Sequence, residues 1–139
     1  MDTALVLTII GFVLTLIGMI FIAIPKVVNE KTMKNLPDEA VNISALFRAA
    51  NGGLGLALGM VAIYCRNMPP EYANTVLLSL GTGFILVNAS LVSGKLRGFG
   101  DELPIPPMVI FTVLAILAYY TALVSVSYTH LKLPTIYSV

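Results

Sequence analysis

Four long apolar runs divide this chain, and each is close to the length needed to cross a bilayer. The first, Thr3 to Ile24, holds no Asp, Glu, Lys or Arg over 22 positions. The others cover Ala45 to Cys65, Thr75 to Gly94 and Met108 to about Val126. A spanning helix needs about 20 mostly apolar residues for a hydrocarbon core roughly 30 Å thick. The expectation is an all-α fold, an integral membrane four-helix bundle over residues 1–125. No Lys or Arg precedes the first run. A cleaved signal peptide carries a basic region there and a shorter apolar core, so this run reads as a retained span.

Composition narrows the function classes. Only 11% of the residues are charged and 58% are hydrophobic, whereas soluble domains are charged at about a quarter of positions. A net charge of +1 with dispersed basic residues gives no nucleic acid a surface to bind. The single cysteine, Cys65, rules out an internal disulfide or a C-x-x-C centre and reads as a small apolar residue.

Prolines and charges mark the connections: 25–44, 66–74 with Pro69-Pro70, and 95–107, "KLRGFGDELPIPP". Pro25 interrupts the first helix, and Val27, Val28 and Met33 alternate with lysines. Lys26 to Asn35 is therefore expected to lie along the interface, as a short amphipathic helix or a bent continuation of the first span. Tyr64 and Tyr72 flank the second turn as interfacial anchors. Lys26, Lys31, Lys34, Arg48, Lys95 and Arg97 fall on one side, against Arg66 and Lys132 on the other. Positive flanks stay in the cytoplasm. The first and third connections are thus expected inside a plasma (inner) membrane, with both termini outside.

The second run opens with "LFRAANGGLGLALGM". At about 100° per residue, Arg48, Gly52, Gly55 and Gly59 fall on one stripe, with Asn51 and Ala62 at its edge. Leu54, Leu58 and Val61 occupy the remaining, lipid-facing surface. Little hydrophobic force draws helices together in lipid, so association relies on the close backbone approach that small residues allow. Thr8, Gly11, Thr15 and Gly18 offer a matching surface on the first run, as do Ala115, Ala118 and Ala122 on the fourth. Gly81 shares a face with Asn88 on the third. Gly11, Gly18, Gly52, Gly55, Gly59 and Gly81 are the expected helix-packing positions.

Arg48 is expensive inside a span unless it snorkels or finds partners. It lies four residues past Ser44, roughly 6 Å along a helix rising about 1.5 Å per residue. Its place on the glycine stripe turns its stem toward the bundle. Asn51, and Asn88 from an antiparallel third span, reach a comparable depth. Arg48, Asn51 and Asn88 are accordingly expected to converge on the cytoplasmic side as a ligand-binding niche, with Ser44, Asp101 and Glu102 in the loops above. The bland reading is a set of hydrogen bonds locking two helices together. The partner that follows is a lipid-like or anionic small molecule within the bilayer. A membrane-protein partner or a homo-oligomer is a further expected partner.

The run "LFRAANGGLGLALGM" with "SLGTGFILVNASLVSG" resembles the Arg-Ala-x-x-Gly-Gly and Gly-rich pattern of small bacterial four-span membrane proteins grouped as a domain of unknown function, DoxX-like in layout. Arg48, Ala49, Gly52 and Gly53 carry the motif. The resemblance covers most of residues 3–125 and implies a four-helix membrane bundle, with no activity attached. Where that family often has a second arginine in the third span, this chain has Asn88. "FRAAN" also resembles the opening of the four-span membrane proteins of glutathione metabolism, which implies a membrane-bound glutathione-dependent enzyme. At the position of that family's glutamate stands Leu54.

No carboxylate lies within a span, as proton-coupled multidrug exporters require, and one cysteine cannot serve a quinone-linked thiol oxidoreductase. No phosphate loop or Ser/His/Asp set can be assembled, and no catalytic residue, metal ligand or cofactor is assigned. The final stretch, "VSYTHLKLPTIYSV", Val126 to Val139, resembles translated sequencing-adapter read-through. It reads as a non-native or disordered tail, and it contains the only histidine, His130.

Overall fold

The chain is described here from a computed structural model covering residues 2–33, 36–98 and 103–131, with side chains as far as residue 124. Five helices are present among these residues, and no strand: α1 (Thr3–Ala23), α2 (Pro25–Thr32), α3 (Asp38–Cys65), α4 (Pro70–Leu96) and α5 (Ile105–Leu131). Four of them, α1, α3, α4 and α5 as far as Val124, are long and apolar enough to cross a membrane. The chain is all-α, with the span content of a multi-pass membrane protein. Helices suit that setting because each satisfies its own backbone groups where no water is present to do so.

The ends follow from local chemistry. Ile24 leaves the helical region, at φ −135° and ψ 54°, because the ring of a following proline clashes with a helical backbone before it. Pro25 then opens α2 at the first helical position, where a missing N–H costs nothing. Met33 is extended and closes α2 by donating its N–H to the Asn29 carbonyl at 2.7 Å. The interfacial segment expected over Lys26 to Asn35 is thus a short helix over Pro25–Thr32; Lys34 and Asn35 lie outside the described residues.

Helix α3 begins at Asp38, ahead of the apolar run that starts at Ala45. Asp38 and Glu39 occupy its first turn, where acidic groups complement the positive end of the helix dipole. Pro69 caps α4, accepting the N–H groups of Tyr72 and Ala73 at 3.0 Å each. Past its other end, Gly98 adopts a left-handed φ of 78° and donates its N–H to the Lys95 carbonyl at 3.0 Å, as glycines after helix ends commonly do. Helix α5 keeps helical backbone to Leu131, into the stretch expected as a tail; 132–139 lie outside the described residues.

The chain forms two units. In one, α1 from Thr8 onward packs with α2 and α3. A Cβ built on Gly18 would sit 2.6 Å from the Gly52 carbonyl oxygen, and one on Gly52 would sit 2.8 Å from that of Gly18. Gly11 and Gly59 repeat the relationship, each placing a Cβ 2.8 Å from the other's oxygen. The two pairs run in opposite sequence directions, so α1 and α3 are antiparallel. Gly55 differs: its Cβ would have ordinary room, 3.6 Å from the Leu14 oxygen. Leu54 is 65% exposed, and Leu58 and Val61 are also turned outward.

The other unit holds α4 and α5 with the chain as far as Leu7. Leu77, Leu80 and Phe84 of α4 and Leu114, Ala118 and Ala122 of α5 are buried. Phe84 stacks on Phe111 with ring centroids 5.7 Å apart. Gly81 makes room for Tyr119 and Ala118: a Cβ there would approach Tyr119 Cε2 to 3.0 Å and the Ala118 Cβ to 3.3 Å.

Candidate functional site

The first site forms where α2 returns along α3. Starting α2 at Pro25 places Asn29 and Thr32, three apart, on one helical face. Asn29 is 2% exposed. Its Nδ2 donates to Ser44 Oγ at 3.1 Å, and its Oδ1 accepts from Arg48 Nε at 2.8 Å. Arg48 Nη2 donates to Thr32 Oγ1 at 2.9 Å, while the Thr32 hydroxyl spends its own proton on the Val28 carbonyl at 2.8 Å. Ser44 donates to the Val41 carbonyl at 3.0 Å. Beneath the guanidinium, the Phe21 ring centroid lies 5.0 Å from Arg48 Cζ, within the range of an attractive cation–π contact.

Donor and acceptor alternate through this network, which holds the guanidinium between Asn29 and Thr32. Its partners are neutral oxygens and a ring; none of those described is a carboxylate. A guanidinium carries five N–H groups. With Nε and one Nη2 hydrogen engaged, both Nη1 hydrogens and the second Nη2 hydrogen remain, as does the full positive charge. Planar donors of this kind match the oxygens of phosphate or carboxylate in bidentate fashion.

The partners that hold Arg48 come from α2, not from Asn51 or Asn88 as expected. Asn51 is exposed, because the face that packs runs through Gly52 and Gly59 and leaves the edge of the stripe uncovered. Asn88 belongs to the other unit and has its hydrogen-bond partners inside it. Asp101 and Glu102 lie outside the described residues. Asn29 and Thr32 are the Arg48 partners missing from the expected set. The available signal was their spacing of three immediately after a helix-starting proline.

The second site lies between α4 and α5. Asn88 Nδ2 donates to Thr112 Oγ1 at 3.0 Å and to the Met108 carbonyl at 3.3 Å; Thr112 in turn donates to Met108 at 2.8 Å. The amide orientation is therefore determined, since the flipped form would set Oδ1 against the Met108 oxygen. Asn88 Oδ1 is buried without a partner. Farther along, Thr82 gives its proton to Leu78 at 2.8 Å, so in the 2.7 Å contact between Thr82 and Tyr119 the tyrosine is the donor. These bonds clamp the two helices on one side of a groove of about 870 Å³, whose walls include Ile85, Ala89, Val92, Ala115 and Ile116. The walls are overwhelmingly hydrocarbon.

No protein-family model, curated protein or solved structure matches this chain.

Proposed function

We propose that this chain is a non-catalytic integral membrane protein of a bacterial inner membrane that binds a lipid-like molecule with an anionic head at Arg48. The observation that carries the reading is the state of the guanidinium. It is oriented by Asn29, Thr32 and Phe21, keeps free donors, and has no carboxylate partner among the described residues. Ionisable residues in spanning helices mark binding or transport sites by default. An anionic headgroup at the interface supplies both the missing charge and the missing acceptors. The orientation that accompanies this reading puts the connections 25–44 and 95–107 in the cytoplasm, facing the anionic leaflet that attracts basic segments.

Native mass spectrometry from nanodiscs of mixed phosphatidylglycerol and phosphatidylcholine tests it. Wild-type protein retains a phosphatidylglycerol that Arg48→Gln releases, with both proteins unfolding at similar temperatures. Equal retention in the two proteins would remove the reading. A large drop in the unfolding temperature without a change in lipid would reduce Arg48 to a packing role.

A further inference from the structure

We infer that the α4/α5 groove is a second lipid site, one that holds a single acyl chain of an anionic phospholipid whose headgroup lies at the C-terminal end of α4. The site lies in the other unit from Arg48 and does not depend on the reading of Arg48.

Length supports this occupant first. On α4 the groove extends from Ile85 to Leu96, roughly 16 Å at the rise of a helix. That is close to one leaflet, half of a hydrocarbon core about 30 Å thick. It starts at the end of the helix and stops near the middle of the span, as one acyl chain does.

The walls agree. Although Asn88 and Thr112 line the groove, their polar groups are turned to each other and to the Met108 carbonyl, and Asn88 Oδ1 has no exposed surface. Along the stretch from Ile85 to Val92 the occupant meets hydrocarbon, and at the far end it meets the rings of Tyr119, whose hydroxyl is bonded to Thr82, and Tyr120. Exposed Ala89 leaves the space beside α5 open.

Charge enters at the mouth. Ser93 lines the groove there together with Leu96, and Lys95 adjoins Leu96 in the last turn of α4. Lys95 is exposed. Positive charge at the open end of an apolar slot complements a phosphate at the top of an acyl chain. A second copy of this chain would have to bring hydrocarbon to the slot and an acid to its mouth. A phospholipid of the surrounding leaflet brings both.

The test is photolabelling in nanodiscs with phosphatidylglycerol or phosphatidylcholine bearing a diazirine in one acyl chain, followed by peptide mapping. Phosphatidylglycerol is expected to label peptides spanning 85–96 and 112–120 about fivefold more than phosphatidylcholine, the preference that one basic residue near an anionic headgroup supports. Lys95→Glu should abolish the preference. Ala89→Phe should remove the labelling by filling the slot; Val92→Phe, at a position 40% exposed, does the same should the first variant fail to fold. Arg48→Gln should leave labelling of these peptides unchanged, which separates this site from the one at Arg48. Equal labelling by the two lipids, full labelling in a folded Ala89→Phe protein, or chain-to-chain cross-links at Ala89 in place of lipid adducts would each overturn the inference.

Discussion

Gly18 and Gly52 meet backbone to backbone: a Cβ on the first would come within 2.6 Å of the carbonyl oxygen of the second, and the reverse distance is 2.8 Å. The obstacle in both directions is main chain, which cannot rotate aside. Gly18→Ala and Gly52→Ala are each predicted to destabilise the protein by about 1–3 kcal/mol, the usual range for overpacking. Gly55→Ala, with 3.6 Å to its nearest neighbour, should cost nothing and gain slightly from helix propensity. Thermal or denaturant unfolding in detergent gives the comparison, and equal midpoints for Gly52→Ala and Gly55→Ala would mean that α1 and α3 do not approach this closely.

A second contrast separates backbone strain from space. At both Gly94 and Gly98 an added Cβ would meet nothing within 4 Å, but only Gly98 has a left-handed φ, of 78°. Gly98→Ala is predicted to lose about 1 kcal/mol, whereas Gly94→Ala, in the last turn of α4, should gain about 0.5 kcal/mol. Unfolding midpoints of the two variants should move in opposite directions.

At Asn88 the sign depends on which atom is lost. Its Nδ2 serves Met108 and Thr112, while its Oδ1 is buried and unpartnered. Asn88→Leu removes two bonds, each worth about 0.6 kcal/mol between membrane helices, but also removes the unsatisfied acceptor, so its net cost should stay near 1 kcal/mol or below. Asn88→Asp puts a carboxylate against the Met108 carbonyl in an apolar setting and should cost about 2–3 kcal/mol or more. The order of the two unfolding midpoints checks this.

The fold was largely legible because hydropathy and small-residue spacing are local signals. The runs starting at Thr3, Ala45, Thr75 and Met108 each became a helix, and Pro25 marked the start of α2. Glycine spacing alone indicated the contact surface that α1 and α3 share through Gly11, Gly18, Gly52 and Gly59. The helix ends were less legible. Apolar content marks the part of α3 suited to lipid, while the helix itself continues outward to Asp38 on ordinary capping chemistry. The surroundings of Arg48 were not legible, because they depend on where α2 comes back along α3. Periodicity put Asn51 beside Arg48 on the stripe, but it cannot say which edge a neighbour covers: Ala62 at the edge is fully buried and Asn51 is exposed.

The central claim, that Arg48 is a fixed and un-neutralised cation awaiting an anionic head, is tested most directly by Asn29→Asp. Asn29 Oδ1 already stands 2.8 Å from Arg48 Nε, so the change supplies an internal carboxylate and alters almost no volume. The measurement is the yield of phosphatidylglycerol photo-adducts, in nanodiscs, on peptides from α2 and the first half of α3, alongside the unfolding midpoint. The account predicts a midpoint close to that of the wild type, the new ion pair with Arg48 offsetting the lost donation to Ser44 Oγ, and a loss of adducts of about fivefold or more, since one basic charge near an anionic surface is worth about that factor. Undiminished labelling in a folded Asn29→Asp protein would contradict it.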